Sequence, residues 1–238
     1  MRLDLALVER GLSRSRSHAR QLIDSGRVRV GGEPVGKASL AVDGLTPIDV
    51  DADRYVSRAA YKLLGALEDS GVAVPGRVLD AGASTGGFTQ VCLEAGAQRV
   101  YAVDVGHGQI AAALRLDPRV VVWEGVNLRD LTMAHVEDEP VGLVVADVSF
   151  ISLRLLLPSM LGVLADDGDA LLLVKPQFEV GRGGLDGRGV VRDPALRRQA
   201  VEAVCADAAG LGWPTVWTGP SRLAGAHGNA EFFVRLGR

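Results

Sequence analysis

The stretch Asp80-Ala81-Gly82-Ala83-Ser84-Thr85-Gly86-Gly87-Phe88 carries the strongest structural signal in this chain. It directly follows Arg77-Val78-Leu79, which has the composition of a short buried strand. A strand that ends in an acid and continues into glycines and small residues is typical of cofactor loops in α/β folds, because glycine lets the backbone approach a ligand closely. The stretch therefore predicts a cofactor site at the carboxyl end of a strand.

A second acidic residue supports this interpretation. The next predicted strand, Val100–Val103, ends in Asp104, and an acid at this position is suited to bind ribose hydroxyls. Gly82, Gly86 and Gly87 match neither the dinucleotide pattern G-x-G-x-x-G nor the phosphate loop G-x-x-x-x-G-K-[ST]. The two features together predict an adenosine-containing cofactor. The alternative is an ordinary strand-to-helix turn that binds no ligand.

From Arg77 onward, predicted strands alternate with predicted helices of ten to twenty residues. The strands are 77–80, 99–103, 120–123, 142–146, 170–174, 214–217 and 231–236. Such alternation is typical of a mostly parallel sheet with helices on both faces, so the predicted fold class is α/β. The glycine-rich segment 181–189 interrupts the pattern and is predicted to be a mobile loop.

The first 52 residues are predicted to form a separate small α+β domain. A short helix ends at Gly11, a second helix over 14–25 has Ser13 as its predicted N-cap, and a hairpin turns at Gly31-Gly32. Residues 53–57 are predicted to be a connector, and residues 58–238 the cofactor-binding domain. The length of 238 residues fits one full α/β domain plus such a module.

The charge of the chain is unevenly distributed. The net charge is −3, but residues 1–37 hold eight Lys and Arg against four acids, which leaves −7 for the remainder. A basic module on an acidic body predicts local contact with a polyanion, whereas the alternative is a solvated basic helix face. Cys92 and Cys205 lie far apart and outside any metal-like cluster, so reduced thiols, a cytoplasmic location and no metal are expected.

Two polar residues follow predicted strands further along the chain. Asp147 follows 142–146, and Lys175 follows 170–174. The carboxyl ends of parallel strands collect the active groups of open α/β sheets. An apolar rim disfavours the charged form of a lysine, and a neutral amine can take a proton from a hydroxyl. Either residue alone is also explained as a solvated strand end.

Several segments resemble the TlyA family of FtsJ-like RNA ribose 2'-O-methyltransferases, a family long labelled haemolysins. The matching segments are Arg58–Leu63, Asp80–Phe88, Asp147–Leu153, Lys175–Gly181 and Gly228–Phe233. Residues near the N-terminus, including Arg2-Leu3-Asp4 and Gly26-Arg27-Val28, resemble the αL RNA-binding domain of ribosomal protein S4. The resemblance covers essentially the whole chain and implies a Rossmann-like methyltransferase sheet that binds S-adenosyl-L-methionine (SAM).

The resemblance also implies a catalytic set. Lys62, Asp147, Lys175 and Glu231 match a Lys-Asp-Lys-Glu set in chain order. In this interpretation Lys175 is the general base, Lys62 raises the local positive charge, and the two acids orient the lysines and the hydroxyl. The expected cofactor contacts are Asp80, Gly82, Ala83, Ser84, Thr85, Gly86, Gly87, Phe88, Asp104, Asn127 and Leu128.

RNA contacts are expected in both domains. The phosphate-contact candidates of the N-terminal module are Arg2, Arg14, Arg16, Arg20, Arg27 and Lys37. Phe150 and Phe178 are candidates for stacking on a base of the flipped target nucleotide, although core packing explains them equally well. Arg182 and Arg188 lie in the glycine-rich segment and are expected to close on the RNA backbone, unless they only keep it soluble.

The implied reaction is methyl transfer from SAM to the ribose 2'-oxygen of a cytidine in ribosomal RNA. In this family, longer chains act on both subunits and shorter chains on the large subunit, and the modification supports capreomycin and viomycin sensitivity. The chain starts close to Arg2-Leu3-Asp4 and stops at Arg238, so large-subunit rRNA is favoured. Where the family linker often has Arg-Ala-Trp-Val, this chain has Asp53-Arg54-Tyr55-Val56, so domain coupling is expected to differ.

The expected partner is rRNA or an assembled subunit, and a monomer is favoured. A small-molecule methyltransferase and a non-enzymatic RNA-binding regulator stay open as alternatives. A membrane-lysing protein is disfavoured, because the sequence has no signal peptide, no spanning segment and no long cationic amphipathic helix.

Overall fold

The computed structural model describes residues 1–13, 15–51 and 54–238 and divides the chain into the units Met1–Arg54 and Tyr55–Arg238. This division falls inside the predicted connector 53–57, and Tyr55 belongs to the second unit. Its ring is buried, its hydroxyl donates to Glu94 Oε2 at 3.0 Å, and the Val56 amide donates to Gln90 Oε1 at 2.9 Å. These contacts attach Tyr55 and Val56 to helix residues of the second unit.

The first unit packs two helices against a small sheet. The helices are α1 (Leu3–Glu9) and α2 (Arg16–Asp24), and the strands are β1 (Val28–Val30), β2 (Glu33–Pro34) and β3 (Ile48–Val50). The strands pair antiparallel in the order β2-β1-β3. Both helices place apolar side chains on one core, which includes Leu3, Leu7, Ala19, Ile23 and Val28.

Helix α2 begins later than predicted. Its N-cap is Ser15 rather than Ser13, because Ser15 has extended backbone angles and its Oγ accepts from the His18 amide at 3.2 Å. Ser13 is buried instead, donates its hydroxyl to the Ser15 carbonyl at 3.0 Å and lies 3.0 Å from His18 Nδ1. Arg14, predicted as the first helical residue, lies outside the described residues.

The second unit contains a seven-stranded sheet of the predicted α/β class. Its strands are β4 (Arg77–Ala81), β5 (Arg99–Asp104), β6 (Val120–Glu124), β7 (Val141–Ala146), β8 (Leu164–Val174), β9 (Thr215–Pro220) and β10 (Phe232–Leu236). The order is β6-β5-β4-β7-β8-β10-β9, with β10 antiparallel to both neighbours. The mostly parallel sheet predicted from the sequence is therefore confirmed.

Most helices of this unit are shorter than predicted. They are α3 (Ala59–Ser70), α4 (Gly87–Glu94), α5 (Ala112–Arg115), α6 (Leu157–Leu161), α7 (Pro176–Glu179) and α8 (Pro194–Gly210). The expected ten to twenty residues are reached only by α3 and α8 among the described helices of this unit. Helix α5 ends just before Asp117-Pro118, since the residue before a proline disfavours helical angles.

Apolar side chains cover both faces of the sheet. One face carries α3 and α4, which contribute Leu63 and Phe88, and the other carries α6 and α8, which contribute Met160 and Val204. Each fully buried side chain of this size adds about 1.5–3 kcal/mol to the hydrophobic stabilisation. Cys92 lies buried on α4 as a free thiol, and burial raises its pKa well above the usual range.

The strand order reverses next to β4. From β4 the chain proceeds to β5 and β6 on one side, whereas β7 occupies the other side. Ligands of open α/β sheets bind outside the carboxyl ends of the strands at such a reversal. The glycine-rich loop that follows β4 begins at this position. Of the described helices, none combines the length and the apolar character that crossing a membrane requires.

Candidate active site

Two cavities open at the carboxyl ends of β4, β5, β7 and β8. The larger cavity has a volume of about 460 Å³, and the smaller cavity has a volume of about 240 Å³. Both are lined by Gly82, Ser84, Asp147 and Ser149. They therefore flank the loop that the sequence singled out.

The start of the glycine-rich loop requires close backbone approach. Gly82 has φ of 83°, and a Cβ on it would lie 2.9 Å from the Asp147 carbonyl oxygen. Ser84 also has a positive φ, 47°, and its amide donates to Asp104 Oδ2 at 2.8 Å. A non-glycine residue with positive φ stores strain of about 1 kcal/mol or more. The hydrogen bond to Asp104 helps to hold Ser84 in this conformation.

Asp104 lines the larger cavity together with Asn127 and Leu128, as the sequence predicts for one cofactor site. Its second carboxylate oxygen accepts from the Gly106 amide at 2.7 Å. The Asn127 side chain accepts from the Arg129 amide at 3.0 Å and begins the 3-10 turn Leu128–Asp130. Backbone hydrogen bonds thus hold both polar side chains at the wall of the cavity.

Asp80 lies beneath this site and lines neither cavity. Its side chain is fully buried, and Oδ2 accepts from Thr89 Oγ1 at 2.6 Å. Oδ1 has no hydrogen-bond partner among the described residues. Burial raises the pKa of Asp80 to about 7, the hydrogen bonds of Thr89 oppose this rise, and the nearby Asp147 and Asp104 add to it. The site therefore contains a buried acceptor that lacks a donor.

Other residues of the predicted cofactor loop divide between the cavity and the core. Ala83, Thr85, Gly87 and Phe88 line the smaller cavity. Gly86 lines neither cavity; it has φ of 93°, and a Cβ on it would collide with Leu114 Cδ1 of α5. Backbone conformation and helix packing both account for glycine here, whereas a contact of Gly86 with the cofactor stays a prediction.

Two lysine–acid pairs lie near this loop, and one of them, Lys175 with Asp147, lines the smaller cavity. Lys62 Nζ on α3 donates to Glu231 Oε2 at 2.6 Å, and these side chains are 13% and 2% exposed. Lys175 Nζ lies 2.6 Å from Asp147 Oδ1, with side chains 10% and 15% exposed. This second pair lacks hydrogen-bond alignment, and Lys175 donates instead to Ser149 Oγ at 2.7 Å.

The strand registers bring the two pairs to the same end of the sheet, where β7 and β8 terminate. Phe232 pairs with Val174, so Glu231 and Lys175 lie opposite each other one residue further along. Asp147 directly follows β7, whose Ala146 pairs with Leu172 on β8. Lys62 reaches the same end of the sheet through its hydrogen bond to Glu231. All four residues of the predicted catalytic set are therefore neighbours, although 169 positions separate Lys62 from Glu231 in the chain.

Sequence reasoning missed some residues of the site. Ser149 lines both cavities and accepts from Lys175, yet no role was assigned to it within the matching segment Asp147–Leu153. Val105 and Gln109 also line the larger cavity. The position of Val105, directly after Asp104, was the available signal, because a residue at the end of a strand lies at the site.

Phe150 is an exposed aromatic residue at the larger cavity. It is 91% exposed and has φ of 66°, a strained conformation for a bulky side chain. Its ring centroid lies 5.3 Å from that of Phe178 at an interplanar angle of 50°. Glu179 holds the following residues, since its carboxylate accepts from Ser152 Oγ at 2.6 Å and from the Leu153 amide at 2.7 Å. Core packing does not explain Phe150.

In the first unit, three of the predicted RNA-contacting arginines converge on one acid. The Asp4 side chain is 0% exposed and accepts from Arg2 at 3.0 and 3.2 Å, from Arg16 at 3.2 Å and from Arg20 at 3.4 Å. The Arg2 hydrogen bonds lower the pKa of Asp4 far below its usual range. The three guanidinium groups are about half exposed, so the cluster presents positive charge to solvent.

The remaining predicted RNA contacts lie in different surroundings. Lys37 is exposed, and Arg27 donates to the Asp51 carbonyl. Arg188 is exposed in a loop that has internal hydrogen bonds, whereas the Arg182 side chain lies outside what the structure describes. No group of three His, Cys, Asp or Glu that suits a metal ion occurs in residues 1–13, 15–51 and 54–238.

Two family models match the chain. The model of FtsJ-like methyltransferase matches residues 55–238, and the model of the S4 domain matches residues 1–44. Fold and site are accordingly those of a methyltransferase that carries an N-terminal S4 domain.

Individual relatives narrow this class. The 16S/23S rRNA (cytidine-2'-O)-methyltransferase TlyA of Mycobacterium tuberculosis is 52% identical over 239 residues, which cover 99% of this chain and 89% of that protein. The 23S rRNA (cytidine-2'-O)-methyltransferase TlyA of Campylobacter jejuni is 35% identical, with 98% of each chain covered. A solved structure from Streptococcus thermophilus that carries the name hemolysin has a TM-score of 0.79 at 37% identity and covers 100% of this chain and 88% of that one. The chain belongs to the FtsJ-like methyltransferase family and, within it, to the TlyA proteins.

Proposed function

We propose that this protein transfers a methyl group from SAM to the ribose 2'-oxygen of a cytidine in ribosomal RNA. The observation that carries the proposal is the pairing of Lys175 with Asp147 and of Lys62 with Glu231 beside the glycine-rich loop. The names of the two TlyA relatives support the same reaction. Family membership makes the chain a methyltransferase, whereas its substrate and cofactor are inferred.

The larger cavity fits SAM in size and in chemistry. Its volume of about 460 Å³ lies within the range of small-ligand sites, which is roughly 300–1,000 Å³. Asp104 would hold the ribose hydroxyls, and Asn127 and Leu128 would flank the adenine. When bound, SAM supplies an electrophilic methyl group, so the protein's own task is to position the ribose and remove its proton.

Lys175 is the proposed general base. In its neutral form Nζ accepts the proton of the 2'-hydroxyl as the oxygen forms its bond to carbon. Asp147 and Ser149, at 2.6 and 2.7 Å from Nζ, fix the direction of the amine toward the smaller cavity. Lys62 adds positive charge that stabilises the developing alkoxide, and Glu231 holds Lys62 in place. Holding the reacting groups in line supplies much of the remaining rate enhancement.

The RNA would be held at two places. The arginines around Asp4 contact phosphates, which position the substrate without reading its sequence. The target base, once out of its stack, would lie on Phe150, with Phe178 beside it. Base–aromatic stacking contributes about 1–3 kcal/mol, which offsets the cost of holding Phe150 in a strained conformation.

Large-subunit rRNA is the proposed substrate, and small-subunit rRNA is the second candidate because the M. tuberculosis relative carries both names. This substrate places the enzyme in the cytoplasm, where we expect it to act as a monomer. Loss of the modification is expected to lower sensitivity to capreomycin and viomycin.

Transfer of labelled methyl from SAM to purified ribosomal subunits tests the proposal. Subunits from a strain that lacks the modification are tested separately, and the product ribose is mapped. Label on a large-subunit cytidine ribose is expected, and label on the small subunit as well would extend the substrate. Label on neither subunit, with SAM binding intact, would overturn the proposal and favour a small-molecule acceptor or a non-enzymatic RNA-binding role.

A further inference from the structure

Residues 186–198, termed the arginine arch below, form an ordered and basic segment after α7. The Asp186 carboxylate accepts from the Arg188 amide, the Val190 amide and Arg192 Nε, each at 2.9 Å. These bonds lower the pKa of Asp186 to about 2, with the Val190 amide as the largest cause. The carboxylate thus closes the turn, and the predicted mobile loop has a defined shape in its second half.

The arch is anchored to the segment just before β10, which contains Asn229 and Glu231. The buried Asn229 accepts from the Val191 amide at 3.2 Å and donates to the Gly189 carbonyl at 3.1 Å. Two residues span at most about 7 Å, so Asn229 lies next to Glu231 in space as well as in sequence. The other end of the arch follows Lys175 through α7. The arch is therefore hydrogen-bonded next to Glu231, and it follows Lys175 in the chain.

The charge of the arch is opposite to that of the unit that bears it. Residues 55–238 hold 17 Lys and Arg against 21 acids, whereas the arch holds four arginines against two aspartates. The Arg188 and Arg198 side chains are exposed, and neither pairs with an acid among the described residues. Arg192 is 67% exposed despite its bond to Asp186. Exposed guanidinium groups on a hydrogen-bonded backbone suit contact with the phosphates of a nucleic acid.

We propose that the arginine arch is a second RNA-contacting surface, which binds the phosphates beside the target nucleotide, and that Asn229 is the positioning residue that fastens this surface to Glu231. The inference rests on the proposed function and extends it. Binding of the RNA phosphates to the arch would bring the target nucleotide within reach of Lys175. Phosphate contacts fix the register of a nucleic acid on a protein, and base contacts then specify it.

Single charge removals test the surface. Arg188→Gln and Arg192→Gln are each expected to raise KM for rRNA several-fold and to reduce the slope of log affinity against log salt by about one. Their kcat and SAM affinity stay at wild-type values. Arg119→Gln is the matched control, because Arg119 also pairs with an aspartate, at 2.8 Å, but lies before β6 at the opposite edge of the sheet. Arch variants that behave like Arg119→Gln would overturn the inference.

Coupling through Asn229 is tested by a double-mutant cycle. Asn229→Ala alone is expected to lower kcat, because Glu231 loses its fixed position, and Arg188→Gln is expected to raise KM much less in that background. Additive effects would refute the positioning role, since a merely structural loss leaves the Arg188 contribution unchanged. Asn229→Asp, which keeps the acceptor for Val191, repeats the cycle if Asn229→Ala fails to fold. A wild-type enzyme that labels no rRNA would refute the proposed function. Normal labelling by the wild type, together with arch variants whose KM and salt dependence are unchanged, would refute this inference alone.

Discussion

The two ionic clusters of this protein are built in opposite ways. Around Asp4, one buried carboxylate holds three guanidinium groups that are about half exposed. At the candidate active site, Glu231 pairs with Lys62 and Asp147 pairs with Lys175, and all four side chains are at most 15% exposed. The first arrangement leaves excess positive charge in solvent, and the second leaves a balanced set of charges in the interior.

This difference separates a binding surface from a reaction site. Exposed ion pairs contribute about 0–1 kcal/mol, so the arginines around Asp4 are available to an outside anion at little cost to the fold. Buried ion pairs add little net stability, because desolvation offsets their attraction. Lys62, Asp147, Lys175 and Glu231 are therefore better explained by chemistry than by stability.

Removal of Lys175 is the strongest test of that explanation. Lys175→Ala is expected to lower kcat by about 100- to 10,000-fold, since general bases contribute on this order. SAM affinity, measured by calorimetry, should stay at the wild-type value, because Lys175 lies outside the larger cavity. Arg119→Ala, at an exposed residue of the same unit that pairs with Asp117, is the control. Activity within tenfold of wild type would remove Lys175 from the role of base.

The Lys62–Glu231 pair allows stability and activity to be separated. Glu231→Ala strands a buried ammonium group, and we expect a loss of about 3–5 kcal/mol in the free energy of unfolding, measured in urea. The double change Lys62→Met with Glu231→Leu is expected to restore stability but not activity. Glu68→Ala, which breaks an exposed pair with Arg222, should cost less than about 1 kcal/mol. Recovery of activity in the double variant would show that the pair is only structural.

Asp80 extends the comparison to a buried acid that has no cationic partner among the described residues. Its folded pKa of about 7 lies above the ordinary value of 3.8, so between these pH values the folded state retains a proton that the unfolded state releases. Stability from this group is therefore fully present below pH 3.8 and is lost as the pH rises towards 7. The loss is on the order of a few kcal/mol.

Asp80→Asn removes this titration. The melting temperature of the variant relative to wild type, both without SAM, is expected to rise between pH 5 and pH 8. Any fixed cost of the amide cancels in that difference. Parallel pH profiles for the two proteins would contradict the raised pKa of Asp80.

The smallest expected effects belong to the arginines of the first unit. Arg16→Gln and Arg20→Gln should change the free energy of unfolding by no more than about 0.5 kcal/mol and weaken rRNA binding by about tenfold or less each. Asp4→Asn is expected to weaken binding more than either, because three guanidinium groups then lose a common anchor. Filter binding at several salt concentrations measures these changes. Equal affinity of Asp4→Asn and wild type would mean that Asp4 serves the fold alone.

The sequence predicted the sheet, and it placed the candidate site residues at strand ends, because strand ends are local signals. Asp104, Asp147 and Lys175 each follow an apolar run, and the parallel topology then brings their positions together. Helix lengths and the N-cap of α2 were predicted wrongly, since they depend on which loop packs where. The sequence also did not show that Gly86 lies against Leu114, which is a contact between two distant segments.

The sequence by itself determined the α/β class, the glycine-rich loop and the residue types at the strand ends, because strand periodicity, turn glycines and end residues are properties of short segments. Only the tertiary structure decided which charges meet. Lys62 and Glu231 are joined across 169 positions, Asp80 is left with an unpartnered oxygen, and Phe150 is held exposed at the site. Pairing, burial and strain depend on neighbours that are distant in the chain, so they arise only when the sheet and its helices close around them.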